Sequence, residues 1–267
     1  MTDGARRTAG SFALMLGLAA LYFILLLTAV HAVGTDDALY YRCQIEAGIL
    51  PGAGLSDDGL RALDAALARY LSGDGKALGD GGKPLALIWD GALRPAFNEK
   101  ELAHMADCFG LFALLRRVRS RLIPWAVLLT VGGAWLLQDR KRARLCAWLS
   151  PLILLVPLGA FALWAAADFD GAFTFFHRVL FTNDMWLLDW RTDLLIRICP
   201  ESMFAAMGLR IALYSLAGML AAPLVATLLC AVWPKSKSNG GNQWNDNRAT
   251  RRGAAQRLKT FDVGGKR

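Results

Sequence analysis

The sequence predicts an all-α membrane protein with four transmembrane helices and an extracytoplasmic helical cap between the first and second spans. Three observations predict it. Apolar residues make up 55% of the 267-residue chain, mean hydropathy is +0.35, and there are nine tryptophans. That is more apolar than an ordinary soluble domain. Four long runs carry little or no charge. The basic residues sit in short patches beside those runs, as membrane topology requires. The net charge of +8 therefore reads as topology, and no nucleic-acid partner is expected. Cys43, Cys108, Cys146, Cys199 and Cys230 show no CxxC spacing and imply no disulfide or metal framework.

The elements follow in order. Arg6-Arg7 precede Phe12–Val33, a run without charge that reaches about 33 Å as a helix and spans the hydrocarbon core. A cleaved signal peptide competes for this run, but its apolar core is usually about 7–15 residues. Residues 34–121 form the largest polar block. Ser56-Asp57 caps a helix with Leu60, Leu63, Leu67 and Leu71 at three- and four-residue steps. GDGKALGDGGKP reads as a loop and Leu85–Trp89 as a short strand or buried run. Asn98 opens a further helix, with Glu101 completing a capping box.

Leu122–Gln138 is the second span, Gln138–Arg144 a basic loop, and Leu145–Ala167 the third span, with Pro151 and Pro157 inside it. Phe173–Phe204 follows, a stretch dense in aromatics and carboxylates that suits a membrane interface. The last span is Ile211–Trp233, kinked at Pro223. Its framing keeps Arg210 off the bilayer centre, where it would cost about 2.5–3.5 kcal/mol. The membrane domain thus covers residues 1–233. Residues 234–267 read as a disordered basic tail.

Four spans place both termini on one side. The N-terminus, the Gln138–Arg144 loop and the tail hold fifteen basic and four acidic residues; residues 34–121 and 168–204 hold fourteen and eighteen. The basic side is expected to be cytoplasmic. Against this pattern, Arg116, Arg117, Arg119 and Arg121 crowd the outer end of the second span. They are expected to snorkel to lipid phosphates or to bind an anionic group, with Arg121 a candidate substrate contact.

All three histidines then fall on the outer side. His177 falls among Phe173, Phe176, Leu180 and Phe181, most of which share its helical face, and spacing alone reads it as a core histidine. His104 and Asp107, three apart, share a face of the Asn98 helix. His31 reads as structural.

Motifs add to this. Phe97–Asp107, FNEKELAHMAD, resembles the N-E-x-E-[IL]-x-H-M-x-D pattern of the bacterial lipoprotein intramolecular transacylase family. Phe176-His177, Phe181-Thr-Asn-Asp-Met-Trp186, Asp189, Thr192-Asp193, Leu195-Ile196 and Pro200-Glu201 are similar to that family's second signature. The likeness covers roughly residues 10–233. The chain departs from the pattern at Trp190, where the family has proline, and in its Arg-rich tail.

The resemblance implies an O-to-N acyltransferase. It moves the sn-2 acyl chain of a diacylglyceryl-modified lipoprotein cysteine onto that cysteine's α-amino group and leaves a lyso-form lipoprotein. It places the catalytic pair at His104 and His177, facing outward, with no cofactor and no metal. An α-amine near pKa 7.7–8.0 and a histidine near 6.5 are matched for proton transfer, and both reactants arrive on one substrate. Asp107 or Asp184 is expected to orient an imidazole, and Asn98 and Asn183 to donate amide hydrogens. Lipoproteins and membrane lipids are the expected partners. Two other classes remain open from the residues alone. One is a metal-dependent membrane hydrolase with both histidines and a carboxylate on zinc; the other is a non-enzymatic membrane protein whose histidines are merely packed.

Overall fold

A computed structural model describes residues 2–232, with side chains through residue 228. The first helix, α1 (Asp3–Gly34), is capped by the Thr2 hydroxyl, which accepts from Ala5 N–H. The polar block then folds into α2 (Asp37–Glu46), α3 (Leu50–Ala53) and α4 (Asp57–Ser72). Two small antiparallel hairpins follow, β1 (Gly79–Asp80) with β2 (Lys83–Pro84) and β3 (Ala86–Trp89) with β4 (Ala92–Pro95). They are the one addition to an otherwise helical protein. Asp90 and Gly91 both adopt positive φ, 49° and 76°, as a two-residue Asp-Gly hairpin turn requires.

Ser56 caps α4 as its position predicts, and Leu60, Leu63, Leu67 and Leu71 form its buried stripe. They pack with Leu39, Tyr40 and Cys43 of α2 and with Phe97 and Met105. Leu194, Leu195 and Ile198, about ninety residues beyond Met105, join this core. The cap is therefore closed by the chain on both sides of the third span.

The Asn98 helix and the second span are one helix, α5 (Glu99–Leu137). At about 1.5 Å per residue it extends for about 58 Å, nearly twice a hydrocarbon core. Its first 23 residues carry Glu99, Lys100, Glu101, Asp107 and the four arginines; from Leu122 onward it has no charge. The arginines do not break it because arginine is a good helix former.

The basic loop is also shorter than its composition suggests. Only Gln138 and Asp139 turn, and the basic residues form the first turn of α6 (Arg140–Leu149), where Asp139 caps Lys141 and Arg142 N–H. The third span breaks at Ser150-Pro151, so that α6 is followed by α7 (Leu152–Ala167). The break falls at a proline, which removes a backbone donor and crowds the preceding turn.

The remaining elements are α8 (Phe169–Leu180), α9 (Leu194–Ile198) and α10 (Glu201–Val232). The fourth helix thus begins ten residues before the apolar run. Trp233 and the tail expected to be disordered lie outside the described residues.

Among the described residues, four helical stretches are long and apolar enough to cross a membrane: Asp3–Gly34, Glu99–Leu137, Arg140–Ala167 and Glu201–Leu228. α1 and α5 run antiparallel in close contact. A Cβ on Gly17 would lie 2.5 Å from Thr130 N, and one on Gly133 would lie 2.4 Å from Leu14 N. Without a water-driven hydrophobic effect between helices, such backbone approach supplies the association. The same register sets Gly34 against Phe112, so residues 116–121 of α5 run beside the last turns of α1's charge-free run.

Candidate active site

His104 occupies the second turn of α5, and its position is fixed by the start of that helix. Asn98 Oδ1 accepts from Glu101 N–H at 3.0 Å and Glu101 Oε2 from Asn98 N–H at 2.8 Å, a complete capping box. Glu101 is 1% exposed, and its other oxygen accepts from Leu195 N–H at 2.6 Å. Asn98 Nδ2 donates to Asp193 Oδ1 at 2.8 Å. Asp193 also accepts from Asp189 N–H and the Thr192 hydroxyl, each at 2.8 Å. Desolvation works to raise its pKa, but these hydrogen bonds outweigh it and hold the carboxyl below its ordinary value. The cap of α5 is thereby tied to the start of α9.

His177 lies near the end of α8. Its Nδ1 is 2.8 Å from the Phe173 carbonyl. A carbonyl only accepts, so Nδ1 carries the proton and Nε2 presents its lone pair. The two imidazoles meet with ring centroids 6.2 Å apart and planes at 33°. Phe181 lies edge-on to His104 at 5.0 Å and 5.6 Å from His177, and Trp186 covers His177 at 5.0 Å. Both histidines are buried, at 9% and 8% exposure. Burial pushes His104 down to about 4, helped by the neighbouring His177 and opposed by Asp107. Burial also lowers His177 from its ordinary value, opposed by its bond to Phe173. Both rings are neutral at pH 7.

The other expected residues sort differently. Among the described residues Asp107 makes no hydrogen bond to an imidazole: its Oδ2 accepts from Asn183 Nδ2 at 2.8 Å, and Asn183 Oδ1 accepts from Met185 N–H. Asn98 and Asn183 therefore serve as bridges between segments. Asp184 is exposed, and among the described residues its carboxylate makes no hydrogen bond. The orienting group that spacing missed is the Phe173 carbonyl, four residues before His177. Arg121 is seventeen residues along α5 from His104, about 25 Å by helix rise, and does not belong to the pair's surroundings. Trp190 is exposed, and the Asp189 turn is kept by its Oδ1 accepting from Arg191 N–H at 2.9 Å.

Cys108 Sγ approaches His104 Nε2 at 3.7 Å. Burial raises that thiol to about 12, which leaves it protonated and a poor nucleophile. Among the described residues no three His, Cys, Asp or Glu side chains converge on a point that a metal could occupy. The zinc hydrolase reading lacks its ligand set.

A helical, multi-pass membrane protein whose cap brings two neutral imidazoles together is the class that fold and site define. Its fold is similar to that of the membrane integral lipoprotein intramolecular transacylase Lit from Bacillus cereus solved in meso. The TM-score is 0.61 at 23% identity, over 85% of this chain and 97% of that one. Two further structures carry a substitution at one histidine. They give 0.62 at 22% identity, over 85% of this chain and 92% of that one, and 0.59 at 21%, over 85% and 94%. Comparison with curated proteins gives no match. The family model "Lipoprotein intramolecular transacylase Lit" matches residues 15–204, and the chain belongs to that family. It is an integral membrane acyltransferase acting on lipoproteins.

Proposed function

We propose that His104 and His177 are the catalytic pair of this transacylase, and that the observation carrying the assignment is their 6.2 Å approach. Two groups that each reach a reacting atom through a contact of about 3 Å stand about 6 Å apart. In the reaction the α-amino nitrogen of the lipoprotein cysteine attacks the sn-2 ester carbonyl. An N–C bond forms, the C–O bond to glycerol breaks, and one proton passes from nitrogen to the departing glycerol oxygen. Atoms balance within one substrate, so no co-reactant is consumed.

His177 is the base, because its Nδ1–H is committed to Phe173 and its Nε2 lone pair has no partner among the described residues. It takes the amine's proton and returns it to the glycerol oxygen on the same carbon. His104, also neutral, donates its ring N–H to the oxyanion. Asn98, Asp107 and Asn183 position the segments that carry the pair. Both termini face the cytoplasm and the pair faces outward, the arrangement favoured by the fifteen-to-four basic excess on one side. Surrounding membrane lipids deliver the diacylglyceryl substrate laterally.

Mass spectrometry of lipoproteins from cells expressing His104→Ala or His177→Ala tests this. The lyso-form is expected to fall by roughly 10²-fold or more in each. His104→Gln, which keeps an N–H donor, retains more activity than His104→Ala, whereas His177→Gln recovers none. Undiminished lyso-form from either alanine variant overturns the assignment.

A further inference from the structure

The four arginines of α5 are left over from the transacylase reading. Arg116 and Arg119, three apart, are half-buried on one face, and Arg117 and Arg121 are exposed on another. The α1–α5 register puts the half-buried pair beside His31, whose ring lies 6.2 Å from Phe112 and whose charged neighbours are Arg119 and Arg116. His31 Nε2 is buried and has no hydrogen-bond partner. Arg116 spends one N–H on the Leu71 carbonyl, at 2.7 Å. Arg119 makes no hydrogen bond among the described residues, and none of the four arginines pairs with a carboxylate there.

His31 is two residues inside the end of α1's charge-free run, and the four arginines occupy the two turns of α5 that directly precede its own charge-free stretch from Leu122. Charge begins there at the edge of the apolar span, where long basic side chains reach the lipid headgroups. Guanidinium groups held there by a close-packed helix pair need a counter-charge, and none is supplied among the described residues. A phosphate offers the planar fork acceptors of matching geometry. With no carboxylate beside the arginines, nothing there welcomes the cation of a zwitterionic headgroup.

We propose that Arg116, Arg119 and His31 form a binding site for the phosphate of an anionic phospholipid, such as phosphatidylglycerol, in the leaflet on the cap's side. The lipid neutralises the arginines and, through Arg116 and Leu71, braces the cap against α5. The proposal does not depend on the histidine pair.

Native mass spectrometry of the full-length protein in detergent tests it, with phosphatidylglycerol or phosphatidylcholine added at equal concentration. The protein is expected to retain phosphatidylglycerol preferentially. Each arginine held against the bound phosphate is worth roughly fivefold in binding, so R116Q/R119Q loses roughly 25-fold, while R117Q/R121Q, exposed on another face and screened by water, changes retention less than about twofold. Should the double variant fail to accumulate, R119Q alone carries the test, because Arg119 makes no hydrogen bond among the described residues. Equal retention of the two lipids, or an undiminished preference in R116Q/R119Q or R119Q, overturns the proposal. Displacement of the lipid by millimolar inorganic phosphate also overturns it, by making this a free-anion site.

Discussion

At the residue scale the site depends on neutral rings. Burial lowers both imidazoles below the ordinary histidine value, so on acidification each keeps its lone pair past the point where an exposed histidine has been protonated. Histidine-labelled protein followed by NMR is expected to show His177 titrating below pH 6.5 and His104 lower still, near pH 4. A ring that titrates at or above 6.5 contradicts the geometry. Cys108 supplies a second check. With its thiol held protonated, Cys108→Ala should reduce lyso-form production less than about tenfold, against the roughly 10²-fold or greater loss from removing a histidine. A larger loss would indicate a covalent acyl-enzyme. The histidines themselves stand out through their motifs. The Phe173 carbonyl does not, because a backbone acceptor has no residue signature; only the four-residue step on a helix points to it.

At the scale of elements, the cap holds a buried polar joint between α2, α4 and α9. Gln44 Nε2 donates to Asp64 Oδ1 at 2.9 Å and to the Ile198 carbonyl at 3.0 Å, while Gln44 Oε1 and Asp64 Oδ2 are buried without partners. A proton on Asp64 Oδ2 would let these two orphans satisfy one another. Burial raises Asp64 to about 7, with Gln44 opposing and Asp37 adding to the rise. The folded state therefore holds this proton more tightly than the unfolded chain. Its stabilisation is full below about pH 4 and declines as pH rises toward 7. Thermal unfolding of Asp64→Asn, which keeps a donor at any pH, should match the parent near pH 4 and exceed it at pH 8 by roughly 2–4 kcal/mol. Equal stability of the two proteins at pH 8 would show that Asp64 is ionised without penalty. The stripe of α4 and the Asn98 cap are legible in sequence because helix period and capping are local. The union of the Asn98 helix with the second span is not, since no breaker marks either reading and composition changes abruptly at Leu122.

At the scale of the molecule, the α1–α5 pair is the axis on which cap and membrane helices are hung. A β-branched side chain at Gly133 would meet the backbone of Leu14, where the Cβ alone falls 2.4 Å from a main-chain nitrogen. Gly133→Val should therefore push the helices apart and destabilise the protein by roughly 1–3 kcal/mol, lowering the midpoint of thermal inactivation in detergent. Gly132 has open space around it, and Gly132→Val serves as the control. If the two variants behave alike, the close approach is not what holds the pair.

Sequence by itself determined the membrane class, the number of spans, the capped start of the α5 helix and, through two motifs, which histidines to compare. All of these are written in local composition or in runs of adjacent residues. Tertiary structure decided that His104 and His177 meet and that Asp107 bonds to Asn183. Those outcomes depend on packing between segments seventy or more residues apart, where hydrogen bonds such as Glu101 to Leu195 and Asn98 to Asp193 choose among arrangements that the linear pattern leaves equal.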